Sequence, residues 1–103
     1  MVVVLDNVRS LNNVGSVFRT SDAFRVEALY LCGITGTPPH KELHKTALGA
    51  TESVNWKYYE ATLQAIQELK QQGFKIYCIE QTTESNMLHQ TDLEGKVAFV
   101  FGN

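Results

Sequence analysis

Just after a short apolar run, the chain carries Asn13, Gly15, Ser16 and Arg19, residue types and spacings that suit an anion. Free N–H groups at a helix start favour negative charge by about 0.3–1 kcal/mol. Asn12 or Asn13 suits the N-cap there. Gly15 admits the close approach of another backbone or a ligand. Arg19, one turn beyond Gly15, offers a planar fork that takes two phosphate oxygens at once. The same residues also read as an ordinary capped helix in which Arg19 pairs with Asp22 on a solvated face. Spacing alone leaves both readings open.

Other candidates are thinner. Gln81-Thr82-Thr83 follows an apolar run and either presents backbone and hydroxyl groups to a small ligand or simply turns the chain. His40 and His44 have the i, i+4 spacing of paired metal ligands, but nothing nearby completes a zinc set, so no metal is expected. Glu52 either caps or pairs, or belongs to a site. The glycine signatures of dinucleotide folds, P-loops and α/β-hydrolases do not occur. Asp6 ends a strand-like run as in receiver domains, yet no second acid precedes it.

Alternating strands and helices must position these residues. Strands are expected at 2–6, 28–33, 54–59, 74–80 and 96–101. Helices are expected at 11–24, 40–48 and 60–72, with a helical turn at 86–89. In the helix at 60–72, Leu63, Ile66 and Leu69 form the expected buried stripe, and Gly73 follows as its C′ glycine. Strands of nearly continuous apolar character separated by helices predict a mostly parallel five-stranded sheet with helices on both faces. Ligands in such sheets sit beyond the carboxyl ends of the strands. That rule nominates 6–13, 33–37, 81–83 and 102–103.

Composition sets the bounds. At 103 residues, 44% hydrophobic and 19% charged, the chain suits one α/β domain with a genuine core. No apolar run reaches the roughly 18–20 residues that cross a bilayer, so no membrane partner is expected. Cys32 and Cys78 both lie in apolar runs and are expected as buried thiols rather than a disulfide framework. A cytoplasmic location is the default expectation. The net charge is −2, and residues 1–51 carry five Lys/Arg against four acids. This balance permits an anionic ligand near the first half without announcing one.

Taken together, three segments resemble the SpoU/TrmH branch of the SPOUT RNA methyltransferases. Leu5-Asp-Asn-Val-Arg9 with Asn12-Asn-Val-Gly-Ser-Val-Phe-Arg-Thr-Ser21 is similar to that family's first motif. His44-Lys-Thr-Ala-Leu-Gly-Ala-Thr-Glu52 is similar to the segment before its third strand, and Val97-Ala-Phe-Val-Phe-Gly-Asn103 to the start of its second motif. The resemblance runs along the whole chain. It implies the Rossmann-like half of a trefoil-knot methyltransferase domain and S-adenosylmethionine as cofactor. It also implies methyl transfer to a ribose 2′-hydroxyl of tRNA or rRNA, by homodimers.

By the same resemblance, Asn13 and Arg19 are catalytic, and Arg9 and Ser16 join them in facing RNA. Gln81, Thr82, Gly102 and Asn103 would border the methyl donor. An arginine keeps its proton in proteins, so Arg19 is expected to grip the adjacent phosphate and stabilise charge developing on the 2′-oxygen. Asn13 would orient the nucleotide or Arg19. The glutamate of the second motif and the whole third motif would follow Asn103. The chain is therefore expected to be the N-terminal part of such a domain, binding the donor weakly by itself. The other reading is a non-catalytic RNA- or nucleotide-binding α/β module.

Overall fold

A computed structural model of the chain describes residues 1–79 and 95–102. The elements run β1 (Val2–Asp6), α1 (Leu11–Ala23), β2 (Ala28–Cys32), α2 (Lys41–Ala47), α3 (Ala50–Ser53), β3 (Trp56–Tyr59), α4 (Thr62–Gln71), β4 (Lys75–Ile79) and β5 (Val97–Gly102). The strands form one sheet in the order β3-β2-β1-β5-β4, and every neighbouring pair is parallel. The expected turn at 86–89 lies outside the described residues.

Alternation along β1 sorts the core into two layers, because successive side chains point to opposite faces. Val3 and Leu5 pack with Leu29 and Leu31 beneath Val14 and Phe18 of α1 and Leu43 and Ala47 of α2. Val2 and Val4 pack with Ala98 and Val100 beneath Ala65 and Leu69 of α4. Helices thus lie on both faces, as expected from the apolar strands.

Four local expectations are corrected. The α1 N-cap is Ser10 rather than Asn12 or Asn13; its Oγ accepts the Asn13 N–H at 3.1 Å. Leu63 is 63% exposed, because it stands about 200° around α4 from Ala65, which faces the sheet. The stripe of α4 is Ala65 and Leu69, with Ile66 partly buried. Cys78 is exposed, since β4 is an edge strand. The third strand starts at Trp56 because Ala50–Ser53 form an unanticipated helical turn that leaves Val54 buried in the α1 layer. Gly73 is confirmed in the left-handed region, with φ +90°, behind the C-cap Gln72.

Gly15 is where α1 and α2 meet most closely. A Cβ there would overlap Thr46 Oγ1 and the Leu43 carbonyl oxygen. Thr46 Oγ1 also donates to the Asn12 carbonyl at 3.0 Å, strapping the two helices together. The close approach that Gly15 allows is therefore that of a helix backbone. In a free helix Gly→Ala stabilises by about 0.5–1 kcal/mol. Here overpacking costs about 1–3 kcal/mol and wins. Gly15→Ala is expected to lower the denaturation midpoint in urea, and a raised midpoint would show that α2 yields freely.

Candidate functional site

Register places the site. Asp6, at the end of β1, is level with Cys32 of β2 on one side and Gly102 of β5 on the other. The chain leaves β1 for α1 on one face, whereas α4 crosses on the other. The sheet's two halves therefore diverge between β1 and β5, where open parallel sheets leave a crevice. A groove of about 540 Å³ lies along that seam, within the range of small-ligand sites.

One wall of the groove is α1, which presents Asn13, Ser16, Val17 and Thr20 at helical spacing. The other is the sheet, with Val3, Leu5, Phe99 and Phe101 ending at Gly102. Polar side chains (Asn13, Ser16, Thr20 and Ser21) are spread along the α1 wall, and apolar side chains line most of the rest. A few polar groups on an apolar wall fix a ligand's orientation without weakening its burial.

Gly102 is not required by its turn, as its φ is outside the left-handed region. Nor does packing demand it, because a Cβ would meet Asp6 only at ordinary contact distances of 3.6–3.9 Å. The missing side chain keeps the backbone at the end of β5 open to a neighbour.

The structure therefore brings together Asn13, Ser16 and Gly102. Arg19 is exposed and does not line the groove. It stands six residues from Asn13, turned about 120° around the helix. Its expected pairing with Asp22 is absent, and no ion pair among the described residues engages Arg19 or Arg9. Both are exposed cations. Gln81, Thr82 and Asn103 lie outside the described residues. His40 caps α2, its Nδ1 accepting the Glu42 N–H, and His44 Nδ1 lies 3.4 Å from Thr51 Oγ1. Glu52 is exposed in the first turn of α3, a favourable place for a negative charge.

Two features behind the crevice escaped sequence reasoning. Asp6 Oδ1 accepts from Thr62 Oγ1 at 2.5 Å and from Asn7 Nδ2 at 3.0 Å, tying the end of β1 to the start of α4. Beside it, burial pushes the Cys32 thiol up to about 11; the Asp6 charge adds to this and the Thr62 hydrogen bond opposes it. Farther out, burial and then a hydrogen bond to Glu68 push the Tyr59 phenol upward. Lys57 lies 3.7 Å from the same carboxylate, fastening the edge strand to α4.

Sheet order, two covered faces and a crevice at the divergence of the strands define the ligand-binding parallel α/β class. The chain belongs to the SpoU rRNA Methylase family, whose profile matches residues 1–103. It is 28% identical over its full length to the 23S rRNA (guanosine-2′-O-)-methyltransferase RlmB of Neisseria meningitidis, covering 41% of that protein. Its fold superimposes on the A. aeolicus TrmH/SpoU tRNA modifying enzyme with a TM-score of 0.80 and 27% identity, covering 99% of this chain and 51% of that one. It is also similar in fold to the SpoU methyltransferase AviRb of Streptomyces viridochromogenes, solved in complex with AdoMet. That match has a TM-score of 0.77 at 16% identity and covers 100% of this chain and 40% of the other. The chain thus spans about half or less of the length of these relatives.

The thiols give a direct check on the packing of the α4-side layer behind the crevice. Only the thiolate reacts with an alkylating reagent, and a raised pKa together with burial suppresses it. Iodoacetamide at pH 8 is expected to modify Cys78 quickly and Cys32 only after denaturation. Equal labelling of both in the native protein would mean that α4 does not cover Cys32.

Proposed function

We propose that this chain builds part of an S-adenosylmethionine-dependent enzyme that methylates a ribose 2′-hydroxyl in tRNA or rRNA. The observation that carries the reading is that Asn13, Ser16 and Gly102 line one groove. The family membership supports the chemistry, and the named RNA methyltransferases among the relatives support the substrate class. Homodimeric assembly and a cytoplasmic address belong to the same proposal and rest on the family resemblance and the default expectation. Among the described residues no helix is long and apolar enough to cross a membrane.

The groove fits the cofactor. Its volume suits a nucleoside-sized ligand, its sheet wall offers Phe99 and Phe101, and Gly102 exposes backbone at its mouth. Gly102 would border the donor, with Gln81, Thr82 and Asn103 completing that side in the proposal. When bound, S-adenosylmethionine supplies an electrophilic methyl group.

The chain's own residues then have separable tasks. Asn13 carries a donor and an acceptor and can fix the orientation of a ribose at the groove mouth. Ser16 adds a hydroxyl on the same wall. Arg19 and Arg9 are exposed cations that no ion pair among the described residues engages, and they can meet the phosphates of an incoming strand. Because a guanidinium holds its proton, Arg19 acts by gripping phosphate and stabilising the developing oxyanion, not as a base. A long side chain swung over Ser16 from its own position is required for this.

In the full-length polypeptide, Asn13→Ala and Arg19→Lys are each expected to lower methyl transfer to RNA by roughly 10²-fold. Donor affinity should stay near that of the parent. The product is read as alkali-resistant dinucleotides, which report 2′-O-methylation. Near-parental turnover of Arg19→Lys would show that the bidentate fork is not used.

A further inference from the structure

Packing fixes most of the placement of α1, but not all of it. Val14 and Phe18 hold it against the sheet, and Gly15 seats it on α2. Its first turn is tied to α2 by Thr46 and joins β1 through the short loop 7–10.

That loop is fastened to the loop after β2 by side chains given in both directions. Thr35 is 3% exposed. Its hydroxyl accepts the Val8 N–H at 3.0 Å and donates to the Leu5 carbonyl at 3.2 Å. In return Asn7 Oδ1 accepts the Ile34 N–H at 2.9 Å. The backbone joins in, Asn7 N–H donating to the Cys32 carbonyl at 3.2 Å. Two left-handed backbone positions accompany it. Asn7 itself has φ +53°, and Gly33 has φ +65° at a position where a Cβ would overlap Asn7 Oδ1. Left-handed backbone at a residue other than glycine is uncommon and is held only by surrounding structure. Neither Asn7 nor Thr35 lines the groove.

We propose that Thr35, with Asn7, is a positioning residue for methyl transfer: the reciprocal latch between the two loops sets the height of the first turn of α1, and thereby the placement of Asn13 and Ser16 against the end of β5. The inference rests on the assignment of that turn to the nucleotide side of the site. A latch of this kind acts on transfer more than on donor binding. The end of β5 carries Gly102, on the side assigned above to the donor, whereas a misplaced α1 misaligns the accepting ribose. Sub-ångström to ångström errors in such placement cost large factors in rate.

The test compares Thr35→Val, which keeps shape and loses both hydrogen bonds, with Thr35→Ser, which keeps the hydroxyl. Both are made in the full-length polypeptide and assayed well below their measured melting temperatures. Thr35→Val is expected to lower kcat for RNA by about tenfold or more, with the dissociation constant for S-adenosylmethionine changed less than about twofold. Thr35→Ser should restore kcat to within about threefold of the parent. If Thr35→Val does not accumulate folded, Asn7→Gly, which tolerates the left-handed backbone, carries the test with the same expected split. A kcat within twofold of the parent overturns the proposal. So does a fall in donor affinity that parallels the fall in kcat, or a serine variant no better than valine. Asn13→Ala run alongside separates the two levels: if it leaves kcat unchanged, the assignment of the turn itself has failed; if it abolishes turnover while Thr35→Val does not, only the latch has.

Discussion

Backbone pairing on both sides of β1 is the constraint from which the site follows. Asp6 is held level with Cys32 and with Gly102 by two parallel ladders. A shift of either ladder by one residue would send the alternate set of side chains to the wrong face and separate the ends of β1 and β5. With the register set, the loop leaving β1 and the end of β5 open side by side at the sheet's divergence. Whatever binds there meets the first turn of α1 on one side and the backbone of Gly102 on the other.

The contacts behind that edge are polar and internally satisfied. Thr35 spends its hydroxyl on two backbone groups, and Asp6 Oδ1 takes two donors. No buried side-chain polar atom among the described residues lacks a partner. Buried polar groups left unpaired cost about 1–3 kcal/mol each, so these loops have few alternative arrangements of comparable energy. Rigidity here is useful to a site that must hold two reactants at fixed separation. The apolar layers beneath, closed by Phe18 on one face and Leu69 on the other, supply the stability that lets the edge be polar.

Much of this was legible in the sequence. Uninterrupted apolar runs such as Val2-Val-Val-Leu5 and Val97-Ala-Phe-Val-Phe101 forecast buried parallel strands, and Gly73 marked the end of α4. The motif around Asn13 and Arg19 falls on α1, whose Asn13 lines the groove and whose Arg19 does not. Other parts depend on contacts between segments far apart. Thr35 and Val8 are 27 residues apart, and no periodicity encodes their hydrogen bond. The four-residue turn α3 is too short to show a helical period, so the apolar pattern alone starts the following strand at Val54 rather than Trp56. Leu63 fits the pattern of a buried stripe, yet Ala65 and Leu69 are the residues of α4 that face the sheet. Gly15 was recognised as a close-approach position, but only the fold shows that α2 is what approaches.

The central claim is that the seam between α1 and β5 receives the methyl donor and the nucleotide. Its most direct test is amide chemical-shift mapping on isotope-labelled full-length polypeptide titrated with S-adenosylhomocysteine. The account predicts that the amides of Gly102, Asn13 and Ser16 move, Gly102 most, while those of Gln67 and Gln71 on the outer side of α4 stay in place. Shifts centred on α4 and β3, with the α1–β5 seam silent, would contradict it.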